Sequence, residues 1–304
     1  MSRFGELRDA LRALAGQALA LDERRAGSFT TMVTALARGE DVGEATLRGL
    51  VPIRTERIGP SGRGSLTGIS GAMVVGMRGV ALYDLEFQPY SFSTRLLAER
   101  ITEAAADTSI KTIVLDINTP GGHVTGTQEA ADAVYKAARA KPVIGIINPL
   151  CASAGYWIGS QCTKLIAVPS ADVGSIGVFM THFDCSALMQ GAGIRPTFIF
   201  AGEHKTEGNA LEPLSASAKA FYQSEIDQTY SDFLTAVARG RGASRSRVEI
   251  SFGGGRVLRA VVAQRAGMID EIATPSAAMQ SAITASNKIT AAAYARRLQL
   301  EAKS

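Results

Sequence analysis

The chain has 304 residues, of which 46% are hydrophobic and 20% are charged, so a sizeable core is expected and a largely disordered chain is excluded. Its 32 basic and 28 acidic side chains give a formal net charge of +4, and no dense block of lysine and arginine is interleaved with aromatic residues. A nucleic-acid partner is therefore not predicted.

Cysteine spacing and hydropathy predict the cellular compartment of the protein. The three cysteines, Cys151, Cys162 and Cys185, lack CxxC spacing, which favours free thiols in a reducing compartment and argues against a structural zinc site. No apolar run reaches the ~18 residues needed to span a bilayer, and no signal-peptide pattern follows the amino terminus. The sequence therefore predicts a soluble, cytoplasmic protein with no membrane partner.

Residues 1–60 are predicted to be a helical appendage and linker. Apolar residues recur at three-to-four spacing over 3–21, which indicates an amphipathic helix, and a second short helix is predicted over 28–39. Residues 40–65 are rich in glycine and proline, as linkers are. Contact between subunits or docking is the role that we expect for this appendage.

Strands and helices alternate from residue 66 onward. Short apolar runs predict strands, and alanine-rich or periodic runs predict helices. The predicted strands are 66–75, 111–117, 142–147, 164–168 and 195–200, and the predicted helices between them are 93–106, 124–140 and 153–159. This alternation favours an α/β fold with a mainly parallel sheet that is covered on both faces.

The rest of the chain is predicted to be mostly helical. A long helix over 215–239 is followed by shorter helices over 244–252 and 257–266, a strand-like run over 267–272 and a terminal helix over 275–301. The main domain is thus predicted to span 66–272, with a carboxy-terminal helical tail over 273–304.

A glycine-rich turn, Thr119-Pro120-Gly121-Gly122, follows a predicted buried strand and precedes a predicted helix. Two glycines let a backbone approach a ligand closely and turn its N–H groups outward. The turn lacks the GxGxxG and Walker patterns, so it suits an oxyanion better than a nucleotide. The alternative is an ordinary connection between a strand and a helix.

Ser153 lies in the run Ala152-Ser153-Ala154-Gly155, at the start of a predicted helix. A serine there can project its Oγ into the crevice at the carboxyl edge of the sheet, and the N–H of Ala154 can stabilise an oxyanion. Two alternatives stay open. Ser153 is a helix N-cap, or Cys151 is the nucleophile, although a buried apolar role fits that cysteine better.

A serine nucleophile needs a base, and the sequence offers a histidine and a lysine. His123 lies beside the glycine turn, but no carboxylate is obviously arranged to orient it. Lys205 is preferred if burial favours its neutral form and if Glu203 and Glu207, whose charges would stabilise the protonated amine, point away. Ser175, flanked by glycines, can hydrogen-bond the lysine amine. The alternative for Lys205 is a solvated lysine in a loop, and the alternative for Ser175 is a plain turn after a strand.

Four segments in this order and spacing resemble the signal peptide peptidase A family of Ser/Lys peptidases. They are Thr119–Gly122, Ala152–Tyr156, Gly174–Val178 and Lys205, and the likeness covers roughly residues 66–272. The resemblance implies the fold of ClpP and crotonase, a superhelix of ββα units, here with an amino-terminal helical appendage.

The resemblance also implies a role for each site residue. Ser153 matches the nucleophile, Lys205 the general base, and Ser175 the serine that positions the lysine. Gly122 and Ala154 match the residues whose N–H groups form the oxyanion hole. The implied chemistry needs no metal or cofactor.

The natural substrate depends on the branch of the family. Members that clear signal peptides carry a membrane anchor, and none is predicted here. That difference and the appendage resemble the branch of tailed phages and prophages, whose members are head maturation proteases. The resemblance implies a serine endopeptidase that forms a homo-oligomeric ring and cleaves scaffold, portal and capsid proteins in the host cytoplasm or procapsid.

Three other functions stay open at this point. One is a cytoplasmic peptidase of the signal peptide peptidase type that degrades peptides. The second is a crotonase-type acyl-CoA enzyme, which would share the fold and the glycine oxyanion site. The third is a non-catalytic capsid-assembly protein that kept the fold. The presence of Ser153, Ser175 and Lys205 counts against the last two.

Overall fold

Parallel strands dominate the part of the chain that the computed structural model describes, which is residues 19–21, 71–86, 91–281 and 284. In chain order, the strands are β1 (Leu19–Leu21), β2 (Ala72–Arg78), β3 (Val80–Leu82), β4 (Ser91–Ser93), β5 (Thr112–Thr119), β6 (Gly121–His123), β7 (Val143–Ala152), β8 (Lys164–Ala167), β9 (Asp172–Gly174), β10 (Val257–Arg259) and β11 (Glu271–Ile272). The helices are α1 (Thr94–Ala106), α2 (Thr127–Ala140), α3 (Ala154–Gly159), α4 (Ser186–Gly191), α5 (Ala216–Arg241), α6 (Arg245–Ser251) and α7 (Ala260–Ala266).

The larger sheet has seven strands, with β10, β9, β7, β5 and β2 in that spatial order and with β8 and β11 attached beside β7. Strands β2, β5, β7, β8 and β9 pair in parallel, and only β10 runs antiparallel to its neighbour β9. One edge of β7 is shared, because its first half pairs with β8 and its last three residues pair with β9. The ends of β7 and β9 therefore lie side by side.

A smaller sheet contains β1, β6, β3 and β4 in that order. Strand β3 pairs in parallel with both β4 and β6, whereas β1 pairs antiparallel with β6. Strands β5 and β6 are separated only by Pro120, so the chain passes directly from the larger sheet into the smaller one.

The larger sheet is apolar on both faces. Ile113, Leu115 and Ile117 on one face of β5 belong to the main core, which includes buried residues of α1, α2 and α5. Val114 on the opposite face packs with a second cluster that includes Ala278, in the helical residues 275–281. The predicted α/β class with a mainly parallel sheet is confirmed, and burial on two faces explains the continuous apolar run of β5.

Several predicted elements match the structure closely. Strands 111–117 and 164–168 correspond to β5 and β8, and helices 93–106 and 215–239 correspond to α1 and α5. The first of these helices begins where it does because the Ser93 side chain accepts a hydrogen bond from the Leu96 N–H at 3.1 Å.

Other predicted elements are wrong. Residues 195–200 are not a strand, because this apolar run lies outside both sheets, with Ile199 98% exposed. Residues 19–21 end a predicted helix but form β1, and residues 257–259 begin another but form β10. In both cases pairing with a neighbouring strand satisfies the backbone instead.

The remaining amino-terminal predictions, over 3–18, 28–39 and 40–65, lie outside the described residues, as does most of 282–304. Strands β3, β4, β6 and β9 and helix α4 were not predicted. Across the described part of the chain, no helix has the length and apolarity needed to cross a membrane.

Candidate active site

Ser153 occupies a sharp turn between β7 and α3. Its backbone has φ 53° and ψ −122°, a conformation that is unfavourable for a residue with a Cβ atom. The Ser153 N–H donates to the Gly174 carbonyl at 2.7 Å, and the Ser153 carbonyl accepts from the Trp157 N–H at 2.9 Å. Backbone bonds on both sides therefore hold the turn.

The hydroxyl of Ser153 is not used to stabilise the fold. The side chain is fully buried, and its Oγ makes no hydrogen bond within the described part of the chain. It does not cap α3, so the N-cap alternative does not account for this serine. A strained serine whose hydroxyl has no structural task is typical of a nucleophile.

Ser175 lies next to this turn. Ala152 pairs with Gly174 across β7 and β9, so Ser153 and Ser175 directly follow paired residues. Ser175 has φ 56° and is buried, and its N–H donates to the Arg256 carbonyl at 2.9 Å. These two serines are the only non-glycine residues at positive φ among those described. The strain in this region is thus confined to the predicted site.

The glycine turn is held against the Ser153 turn by Thr119. The Thr119 hydroxyl accepts from the Gly121 N–H at 3.1 Å, and the Thr119 methyl group lies where a Cβ atom on Gly155 would be. Gly122 is buried, and a Cβ atom on it would collide with the Ala81 backbone of β3. Only glycine fits at this position, because β6 and β3 approach so closely.

Ala154, the second predicted oxyanion residue, is buried at the first position of α3. The N–H groups in the first turn of a helix have no carbonyl partner within the helix. The N–H of Ala154 is therefore available beside Ser153 for an oxyanion.

Among the described residues, the Lys205 side chain has no hydrogen bond or ion pair that ties it to the Ser153 turn. Lys205 is exposed and lies in a run of bends and turns over 201–208, where its N–H donates to the Gly202 carbonyl at 3.1 Å. Its side chain makes no hydrogen bond or ion pair with any described residue, Ser153 and Ser175 included. The structure thus brings Ser153, Ser175, Gly122 and Ala154 together, whereas Lys205 makes no side-chain bond to any of them.

The carboxylates beside Lys205 are directed to a histidine. His204 Nδ1 lies 2.9 Å from Glu207 Oε1, and its Nε2 lies 3.9 Å from a Glu203 oxygen. The hydrogen bond and charge of Glu207 raise the pKa of His204 above its ordinary value. Neither glutamate forms an ion pair with Lys205 in the described structure.

The alternative nucleophile and base fit less well. Cys151 is completely buried, and burial raises the pKa of its thiol, which disfavours the thiolate that reacts. Burial lowers the pKa of His123, and none of the described carboxylates hydrogen-bonds its ring. A histidine triad therefore lacks its third member in this part of the chain. The described residues also contain no group of three or more His, Cys, Asp or Glu that could hold a metal ion.

Thr119 is the one site residue for which the sequence predicted no role. Its hydroxyl fixes the entry into β6 and its methyl group packs on α3, so it sets the distance between the glycine turn and Ser153. The signal was its position between a buried strand and the glycine pair. A threonine beside glycines is also common in ordinary turns, so sequence alone could not distinguish the two.

Comparison with known proteins identifies the family. Residues 136–288, half of the chain, match the family model described as peptidase family S49. This range includes Ser153, Ser175 and Lys205.

Individual relatives include phage and bacterial proteins. The chain is 30% identical over 222 residues to the head-tail preconnector protein GP5 of Enterobacteria phage P21, covering 72% of this chain and 44% of that protein. It is 34% identical over 159 residues to capsid assembly protease C of Escherichia phage lambda, covering 52% of this chain and 36% of that protein. It is 29% identical over 187 residues to protease 4 of Haemophilus influenzae, covering 61% of this chain and 30% of that protein. The chain thus spans less than half the length of each.

Proposed function

Because the chain belongs to peptidase family S49, a family of serine peptidases, we propose that it is a serine endopeptidase in which Ser153 attacks the peptide carbonyl and Lys205 is the general base. The observation that carries this proposal is the Ser153 turn itself. A buried serine is held in a strained conformation, its hydroxyl has no partner among the described residues, and the glycine turn lies beside it. The fold is of the ClpP and crotonase type, which its two consecutive sheets support.

The base reaches Ser153 from a second copy of the chain. Lys205 lies in a segment, residues 180–221, that projects several large apolar side chains into solvent. They are Phe183, Leu188, Ile194, Ile199, Phe200 and Phe221, each more than half exposed. Exposed apolar patches of this kind mark interfaces between proteins. Assembly would cover these side chains and bring Lys205 into a neighbour's site.

Each group in the assembled site has a defined task. Neutral Lys205 accepts the proton of Ser153 Oγ while that oxygen attacks the carbonyl carbon. The N–H groups of Gly122 and Ala154 stabilise the oxyanion, and Ser175 orients the lysine amine. The protonated lysine gives its proton to the leaving amine as the C–N bond breaks. Water then hydrolyses the acyl-enzyme, with Lys205 again as base.

The substrates are capsid-related proteins. This proposal rests on likeness to the phage P21 preconnector protein and to the phage lambda capsid assembly protease. Scaffold, portal and capsid proteins are the substrates to test first, in the host cytoplasm or inside the procapsid.

Labelling with a fluorophosphonate probe tests the nucleophile. Wild-type protein is expected to be modified at Ser153, as mapped by mass spectrometry, and Ser153→Ala and Lys205→Ala are each expected to lose labelling and peptide hydrolysis. Lys136→Ala is the matched control, because Lys136 is an exposed lysine on α2, outside the segment that carries Lys205. Near-normal hydrolysis by Lys205→Ala would contradict the role of the lysine. Absence of labelling in folded wild-type protein would favour a non-catalytic assembly protein.

Mixing two inactive variants tests whether the base comes from a second copy. Ser153→Ala keeps the lysine and Lys205→Ala keeps the serine, so mixed assemblies contain some intact sites. Random mixing restores about a quarter of wild-type activity if each site joins two copies of one ring interface. No recovery, although the two variants assemble together, would place the dyad within one chain.

A further inference from the structure

Strand β1 lies on the edge of β6, beside the candidate active site. It runs antiparallel to β6, with Leu19 opposite His123, Ala20 opposite Gly122 and Leu21 opposite Gly121. The other edge of β6 pairs with β3. A segment from the amino-terminal part of the chain thus covers the edge of the glycine strand that β3 does not use.

This edge is also where a peptide substrate must lie. A carbonyl that is attacked by Ser153 while the Gly122 N–H stabilises its oxygen belongs to a chain running beside β6. The β3 side is closed, because the Ala81 backbone already lies against Gly122. An extended peptide that adds to the remaining edge gains main-chain hydrogen bonds, as in other cases of strand addition. A substrate and β1 therefore require the same position.

The sequence of β1 suits this position. Leu19-Ala20-Leu21 contains no charged residue. Ala20, the smallest of the three, is the residue opposite Gly122. The strand has only three residues, so a longer peptide can compete with it for the same edge.

We infer that Leu19–Leu21 is an internal pseudosubstrate, which occupies the peptide-binding edge of β6 until a substrate strand displaces it. The inference rests on the proposed peptidase function, because only then is this edge a substrate site. It assigns the amino-terminal segment a role in restraining the enzyme before substrate is present.

Disulfide trapping tests the position of the strand without any need for catalysis. Directly opposite residues of an antiparallel pair have Cβ atoms about 4.5–5.5 Å apart, close to the separation that a disulfide needs. The pair Leu19→Cys/His123→Cys is therefore expected to cross-link within one chain under mild oxidation. Leu21→Cys/His123→Cys, two residues out of register, is the matched control. If both pairs cross-linked equally, or if neither pair cross-linked, the pairing of β1 with β6 would be overturned.

Peptide hydrolysis tests the competition. Successive N–H groups of a strand point to opposite sides, so Ala20→Pro/Leu21→Pro removes whichever N–H faces β6. We expect this variant to lower the KM for a peptide substrate several-fold, with kcat unchanged and the thermal midpoint of the domain retained. Ala20→Val/Leu21→Val keeps both N–H groups and should retain the wild-type KM. Equal KM values for the proline and valine variants would overturn the inference.

The cross-linked pair links the two tests. Oxidised Leu19→Cys/His123→Cys should hydrolyse peptide at least tenfold more slowly than the same protein after reduction. Full activity in the cross-linked state would overturn the inference while leaving the peptidase function intact. Cross-linking without hydrolysis by any variant, wild type included, would overturn the proposed function itself and the competition with it.

Discussion

Ser153 keeps a backbone conformation that glycine adopts more readily than serine does. Its φ of 53° with ψ of −122° lies outside the regions that residues with a Cβ atom favour. The surrounding bonds to Gly174 and Trp157 impose this conformation. The fold makes no use of the hydroxyl, because the Oγ has no hydrogen-bond partner among the described residues.

This strain predicts a stability difference between two inactive variants. Ser153→Gly removes the Cβ atom and should be more stable than Ser153→Ala by about 1–2 kcal/mol, since alanine keeps the strain and glycine relieves it. Urea denaturation of both proteins measures the difference. Matching stabilities would mean that the turn relaxes, and the argument that strain is held here for function would fail.

Two histidines predict opposite effects of pH on stability. Burial lowers the pKa of His123, so the unfolded chain binds its proton at higher pH than the native protein does. Stability from this group therefore falls as pH drops through about 6.5. Glu207 raises the pKa of His204, so its contribution is present at low pH and is lost as pH rises.

Urea midpoints at pH 7.5 and 5.5 check these signs. His123→Asn should reduce the loss of stability on acidification, whereas His204→Asn should increase it. The effect of His204 is expected to be the smaller, because its ring is mostly exposed. If both variants changed the loss of stability on acidification in the same direction, one of the two pKa directions would be wrong.

At the scale of elements, Lys141 joins the end of α1 to the segment that precedes β5. Its Nζ donates to the carbonyls of Ala104 and Asp107 at 2.8 Å and of Ile110 at 2.9 Å. These carbonyls lie at and just beyond the carboxyl end of α1, where the helix leaves acceptors without partners. Burial lowers the pKa of Lys141 from its ordinary value.

Replacing this amine should lower the free energy of unfolding of the domain and leave the candidate active site intact. Lys141→Met retains the aliphatic chain but leaves three carbonyls to water, at a cost of about 1–2 kcal/mol in the free energy of unfolding. Lys136→Met on α2 is the matched control, since Lys136 is exposed and has no hydrogen-bond partner among the described residues. Equal stability of the two variants would show that the carbonyls are readily solvated.

The elements also show what the sequence could predict. The apolar run of β5 and the serine cap of α1 are local signals, and both elements appear where predicted. Residues 195–200 carry an equally good local signal but are not a strand. Whether such a run joins a sheet depends on partners far away in the chain, and local pattern does not contain that information.

The candidate site likewise has a part that the sequence predicts and a part that it does not. The residues near Ser153 could be predicted because each lies at the end of a strand whose neighbours follow from the α/β pattern. The surroundings of Lys205 could not, because its segment follows β9 without joining either described sheet and exposes apolar side chains.

At the scale of the molecule, the segment that carries Lys205 differs from the rest of the surface. Ile199 is 98% exposed, and Phe200 beside it is 53% exposed. A monomer gains nothing by holding these side chains in water. Ile250 on α6 is also exposed, at 79%, but it lies outside this segment and offers a matched comparison.

Ile199→Asp should therefore separate assembly from folding. A charge at this position opposes burial against a second copy, so sedimentation should show a smaller species, and hydrolysis should fall at least tenfold because Lys205 no longer reaches a neighbour's Ser153. The thermal midpoint of the single chain should change little, since Ile199 makes no contribution to the core. Ile250→Asp should retain both assembly and activity. If Ile199→Asp were monomeric and fully active, the site would be complete within one chain, and the exposed segment would have to serve a different partner.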